Sequence, residues 1–393
     1  MNYKLHITCF FKFLFLLTVV FCLNSCSDEP SAPSVEPAHR TILIYMSANN
    51  TLGSQYYCDE ADIIEIKQAV REGAIGDNNR LIIFHGAPDN TQTLYEVDDK
   101  GNFNTIKVYP GDDFDTSADF MLQVFNDAKN HAPADDYGLI LWSHGLGWTQ
   151  NGLNDNGPTL SPKTWGEDRG RQMNITTLAR VLQASPWSWI YFDCCFMGSV
   201  EVVYQLAPYT DFIVASPSEI PLDGMPYDKN LALFFKPQAD LVGAAKNTFE
   251  YYDNQFGSNR TATISVINTS YMRQLADVTI PIYKASTKVY AGDFSNMPLE
   301  ITATPKFYDM GVYVSGLCQA NHLPEEMYAQ WLDIYEKAVV YHAGTPKLWN
   351  SLDITRFTGL STYIPASASS TDYRNYQSLK WYEDVAHYLF NKD

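Results

Sequence analysis

The sequence predicts an α/β fold: a mostly parallel sheet with helices on both faces. Short apolar runs recur from residue 40 onward, apolar at consecutive rather than alternate positions, and amphipathic stretches with helical spacing separate them. A strand that is apolar on both sides has to be covered on both sides, which is how parallel sheets are built. With 46% hydrophobic and 18% charged residues, the 393-residue chain can bury such a core and does not have a disordered composition.

The elements follow in order. "TILIYMSA" (41–48) reads as a buried strand closed by Asn49 and Asn50, and a helix follows near 59–72 on Ile63, Ile66 and Val70. "RLIIFHGA" (80–87) is a second strand, and 94–109 reads as a hairpin turning at Lys100 and Gly101. The helix "ADFMLQVFNDAKNHA" leads to a third core strand, "YGLILWSHG" (137–145). A helix capped by Asn174 or Thr176 precedes the fourth strand, "WIYFDCC", and "DFIVASP" (211–217) is the fifth. "ATISVINTS" and "GLSTYIPAS" are further strand-like runs in the C-terminal half.

The N-terminus is of another kind. Lys4 and Lys12 precede the run "FLFLLTVVFCL", too short and wrongly flanked for a membrane span, so residues 1–25 read as a secretory signal. The following "LNSC" resembles the lipobox of bacterial lipoproteins, which makes Cys26 the candidate lipidation site, and "SDEP" resembles the acidic signal of surface-exposed lipoproteins. An ordinary signal peptide is the alternative. Residues 26–39 are a Pro/Ser-rich tether, and a single large domain spans 40–393, with its motifs in 40–270 and an extension of the same domain in 271–393.

Losing Lys4 and Lys12 with the signal moves the net charge from −18 to −20. So acidic a body argues against nucleic acid as a partner and against electrostatic docking on anionic lipid, and membrane attachment would come from the lipid anchor instead. Of seven cysteines, four (Cys58, Cys194, Cys195 and Cys318) lie beyond the lipobox, too few and too scattered for a disulfide framework.

Ligands of parallel sheets bind outside the carboxyl ends of the strands. The third strand brings His144 and Gly145 there, and the fourth brings Asp193, Cys194 and Cys195. A His beside a Cys is what thiol nucleophilic catalysis requires: the thiolate attacks, and the imidazole takes and returns protons. The amides of Gly145 and Cys195 could hold the oxyanion. Side chains alternate along a strand, so Cys195 shares a face with Asp193 and Cys194 takes the other, provided the alternation persists to the strand's end.

"LILWSHGLGW", "YFDCCFMGSVE" and "VASPSEIPLDGMPY", in that order, resemble the motifs of the clostripain family of cysteine peptidases. The resemblance implies a caspase-like three-layer α/β/α sandwich, with His144 as catalytic His, Cys195 as nucleophile, and structural roles for Met197 and Glu201. It also implies cleavage after Arg or Lys, with Asp193 at the acidic end of the substrate pocket. Glu219, Asp223 and Asp228 are candidates for a second substrate-binding carboxylate, Asp223 preferred for its place beside Gly224 in "PLDGMPY". Relatives are cleaved in the loop after the His. Here that segment (149–172) carries Lys163, Arg169 and Arg171, with a covering loop that is never cut as the alternative. No cofactor is required; "LNDNG" resembles a calcium loop faintly, and calcium assistance is common in relatives.

The expectation is therefore a cysteine endopeptidase acting on proteins or peptides with basic residues, carried as an outer-membrane lipoprotein on the surface of a Gram-negative bacterium. The alternatives are a catalytically silent binding lipoprotein on the same fold and a cysteine peptidase with non-basic specificity.

Overall fold

The computed structural model describes residues 36–149, 165–289, 297–302, 305–365 and 370–391. The expected signal (residues 1–25), Cys26, the expected tether up to residue 35, Lys163 and "LNDNG" lie outside the described residues.

The buried runs become the strands β1 (Ala38–Ser47), β2 (Asn79–Gly86), β3 (Gln92–Val97), β4 (Phe103–Tyr109) and β5 (Ala134–Trp142). A short hairpin, β6 (Trp165–Asp168) and β7 (Arg171–Met173), precedes β8 (Trp189–Asp193), β9 (Phe212–Ala215) and β10 (Thr263–Asn268). Farther on come β11 (Phe307–Asp309), β12 (Val339–Gly344), β13 (Lys347–Leu348), β14 (Leu352–Asp353) and β15 (Ser361–Tyr363). The main sheet runs β12-β10-β9-β8-β5-β1-β2-β3-β4. Its centre, β9-β8-β5-β1-β2, is parallel throughout, and antiparallel pairs extend it at both edges.

Alternate residues of β1 feed two cores. Leu43 and Tyr45 pack with helices α3 (Ala118–His131), α4 (Ile175–Ala184), α5 (Val200–Leu206), α8 (Met272–Ala285), α9 (Met310–Ala320) and α10 (Glu325–Ala338). Ile42, Ile44 and Met46 pack with α2 (Cys58–Arg71), α6 (Tyr227–Phe234) and α7 (Leu241–Asp253). The short α1 (Thr51–Ser54) leaves the carboxyl end of β1. This is the three-layer α/β/α sandwich, with both faces of the sheet buried.

Residues 37–393 form one compact unit, extension included. Its first strand starts at Ala38, two resides before the expected boundary at 40, because Ala38 N donates to Pro133 O and His39 N to Asn78 O. Two other differences matter for the site. The segment after His144, read as loop to 172, holds the β6–β7 hairpin. "GLSTYIPAS" yields β15, which pairs with β11 outside the main sheet. There the buried Glu201 takes the place of a neighbouring strand, its Oε1 accepting from Tyr363 N (2.8 Å) and Thr362 Oγ1 (3.1 Å).

Candidate active site

β5 stops at Trp142 and β8 at Asp193, so His144 and Cys195 stand just past the carboxyl ends of two adjacent parallel strands. The turn after β8 is sharp. Phe196 adopts a left-handed backbone (φ 62°), a strained conformation for an aromatic residue. Its N–H donates to Ser218 O at 2.9 Å and its ring stacks on Phe307 at 4.8 Å, which holds the turn in place. Cys194, 1% exposed, joins the core behind the sheet with Phe192. Cys195 is half-buried and faces the cleft.

The His144 segment is braced from three directions. Ser143 Oγ donates to Ser47 O (2.9 Å) and accepts from Glu167 N (2.9 Å); Gly166 N donates to His144 O (2.9 Å). Gly145 pairs with Trp165 in a single bridge. It also lies flat on the cysteine turn: a Cβ there would stand 2.5 Å from Cys195 O and 3.0 Å from Cys194 Sγ. Only glycine lets the two loops approach this closely.

His144, Cys195 and Asp193 line one cavity of about 270 Å³, whose other walls include Ile220, Leu222 and Trp349. Cys195 Sγ accepts from Ile220 N at 3.4 Å and lies 3.9 Å from Ile220 O. Burial pushes its thiol up to about 12, and the Glu219 and Asp193 carboxylates act in the same direction. At neutral pH the resting sulfur is therefore a thiol, and its nucleophilicity depends on a base taking the proton.

Asp193 is 4% exposed, and both its oxygens are engaged: Oδ1 accepts from Met225 N (3.0 Å) and Oδ2 from Tyr227 Oη (3.1 Å). Burial outweighs these donors and raises its carboxyl to about 7. A second buried carboxylate stands behind it. Asp62 accepts from Trp142 Nε1 at 2.6 Å, and burial and Asp193 hold it well above the usual carboxylate range. Asp223, expected to be that second group, is exposed and accepts from Tyr251 Oη (3.1 Å); its neighbours Leu222 and Gly224 line the cavity instead.

Three residues of the site escaped the sequence reading: Thr51, Asp62 and Trp349. Asp62 had a signal, since it falls midway between Cys58 and Ile66 on the buried stripe of α2. Trp349 reaches the cavity from the tip of the β13–β14 hairpin, about 150 residues after Cys195 in the chain, and no local pattern announces it. Among the described residues, no group of three or more His, Cys, Asp or Glu could hold a metal ion.

The model of the clostripain family, peptidases of the C11 class, matches residues 44–390. The chain belongs to the clostripain family. The structure resembles an inactive zymogen C11 protease from Parabacteroides distasonis with a TM-score of 0.75 and 29% identity over 89% of this chain and 99% of that one. It also resembles a secreted C11 cysteine protease from Bacteroides thetaiotaomicron, solved with an irreversible peptide inhibitor, with a TM-score of 0.73 and 28% identity over 88% and 98% of the two chains. A comparison with curated protein sequences gives no match. This clostripain-family chain is a cysteine peptidase on the caspase-like fold.

Proposed function

We propose that the enzyme is an endopeptidase cleaving after Arg or Lys, with Cys195 as nucleophile and His144 as its acid and base. The observation behind this reading is the single cavity that joins a half-buried thiol, an imidazole and a desolvated carboxylate. In it, His144 takes the Cys195 proton as sulfur attacks the scissile carbonyl, and then protonates the departing amine. The amides of Gly145 and Cys195 hold the oxyanion. Asp193 receives the cationic side chain, with Asp223 adding charge at the rim. Leu222 and Trp349 take an apolar neighbour in the substrate. Comparing fluorogenic peptides with Arg, Lys, Asn or Asp before the cleaved bond tests this, and a preference for Asn or Asp overturns it.

Gly145→Ala is expected to lower kcat by about tenfold or more, because the added Cβ drives the His144 loop off the cysteine turn and displaces an oxyanion donor. Steady-state kinetics on the Arg peptide read this directly.

The same reading extends to activation by cleavage within 149–172. Arg169 is pinned by Asp168 and by the carbonyls of Gly111 and Asp113, and the Arg169 and Arg171 guanidinium groups lie against the Phe114 ring at 4.3 and 3.9 Å. Lys163 is the basic residue of this segment that falls outside the hairpin. Intact mass after incubation should show a cut after Lys163 in the wild type and none in Cys195→Ala or Lys163→Ala. A cut persisting in Cys195→Ala would exclude self-processing. Export as a surface lipoprotein through Cys26 completes the proposal; no cofactor takes part in the chemistry, and calcium assistance would be structural.

A further inference from the structure

The His144 imidazole has a partner that the two-residue reading does not include. Thr51 Oγ1 lies 2.9 Å from His144 Nε2. Thr51 is the first residue of α1, and the residue before it, Asn50, is the hub of the local hydrogen bonding. Its Oδ1 caps the helix by accepting from Leu52 N (2.9 Å), while its Nδ2 donates to Ser47 O (2.9 Å), Glu167 O (2.8 Å) and Ser143 Oγ (3.3 Å). The end of β1, the residue next to His144 and the β6–β7 hairpin are thus tied to one buried amide, and the exposed Thr51 follows that amide in the chain, with its hydroxyl beside the ring.

Resting on the assignment of His144 as acid and base, we infer that Thr51 is the positioning residue of the imidazole. Its oxygen accepts the Nε2 proton, fixes the tautomer, and supports the imidazolium formed during the reaction. Proton exchange with the cleft then falls to Nδ1. The Cys195 proton passes to the Nδ1 lone pair as a sulfur lone pair forms the bond to the carbonyl carbon. The carbonyl π pair moves to oxygen and returns as the carbon–nitrogen bond breaks, and the departing nitrogen takes the proton back from Nδ1. Throughout, Nε2–H stays on Thr51 Oγ1. A hydrogen bond to a charged partner is the stronger kind, so this one tightens when the imidazolium forms. An orienting group on the far nitrogen is what a Cys–His pair needs to act as a unit.

Two readouts test this, applied to Thr51→Val, which keeps the shape but has no hydroxyl, to Thr51→Ser, which keeps the hydroxyl, and to His144→Ala. With the Arg peptide, Thr51→Val should lower kcat about tenfold with KM within about twofold, and should move the acid limb of the pH profile of kcat/KM to lower pH; Thr51→Ser should restore both. The second readout needs no substrate: the rate of Cys195 alkylation by iodoacetamide, followed by mass spectrometry, should fall in His144→Ala and in Thr51→Val and recover in Thr51→Ser. Alkylation unchanged in His144→Ala would remove the dyad itself. Alkylation slowed in His144→Ala but unchanged in Thr51→Val would overturn the role of Thr51 alone. An inactive wild type whose alkylation still follows both residues would overturn only the preference for basic substrates.

Discussion

Cys195→Ala should lower kcat/KM by roughly four orders of magnitude or more, since a covalent route has no substitute once its nucleophile is gone. The neighbouring cysteine supplies the control. Cys194→Ala should keep activity within about tenfold and destabilise the protein by about 1 kcal/mol, through loss of a small buried group. The reason is placement: both cysteines border the cavity, but Cys194 is 1% exposed and belongs to the core, whereas Cys195 is half-buried. Gly145 makes the distinction sharper, because a Cβ there would stand 3.0 Å from Cys194 Sγ, so the Cys194 side chain carries packing on which the His144 loop sits. Kinetics on the Arg peptide and thermal unfolding of both variants separate the roles. Full activity in Cys195→Ala with loss in Cys194→Ala would reverse the assignment. The high resting thiol adds a corollary: with burial holding Cys195 near 12, alkylation at neutral pH should be slow without the imidazole.

The central strands were legible because each is a continuous apolar run, and the placing of His144 and Cys195 followed because sites of parallel sheets collect at the carboxyl ends. Alternation pointed to Cys195, yet the strand ends at Asp193, and it is the left-handed turn at Phe196 that finally aims the side chain. A positive φ at an aromatic residue leaves no trace in the sequence, because it is imposed by the Ser218 carbonyl and the Phe307 ring from distant segments. The same holds for Thr51 and Trp349. Each reaches the site through tertiary contacts, one through the Asn50 network and the other through a hairpin of two-residue strands whose tip is fixed by Thr261 Oγ1 accepting from Trp349 N at 2.8 Å. Edge strand β12 was missed for a related reason: it is half-exposed and follows α10 without a break, so its pattern merges with that of the helix.

Asp193→Asn should cost about a hundredfold in kcat/KM toward Arg and Lys peptides while leaving a neutral residue at that position little affected, since the loss is one charge-assisted contact in a desolvated site. The substitution fits the site: the amide oxygen can still accept from Met225 N, and the amide nitrogen can donate to Tyr227 Oη. The sign of the pH effect follows from burial. Burial raises Asp193 to about 7, with Tyr227 and Met225 opposing and Glu65 pushing in the same sense as burial, so its folded form holds a proton that the unfolded chain has already released. Between about pH 4 and 7 the native state binds more protons than the unfolded state, and this group's contribution to stability falls as pH rises through that window. Asp193→Asn should therefore gain thermal stability over the wild type above pH 7, with the difference closing toward pH 4. Activity runs the opposite way. A cationic side chain needs the ionised carboxylate, so wild-type kcat/KM for Arg peptides should climb as pH rises through about 7, and the variant should lose the Asp193 part of that rise and keep only the acid limb set by His144. An Asp193→Asn enzyme that kept its Arg preference and its pH profile would confine this carboxylate to holding the turn at Met225.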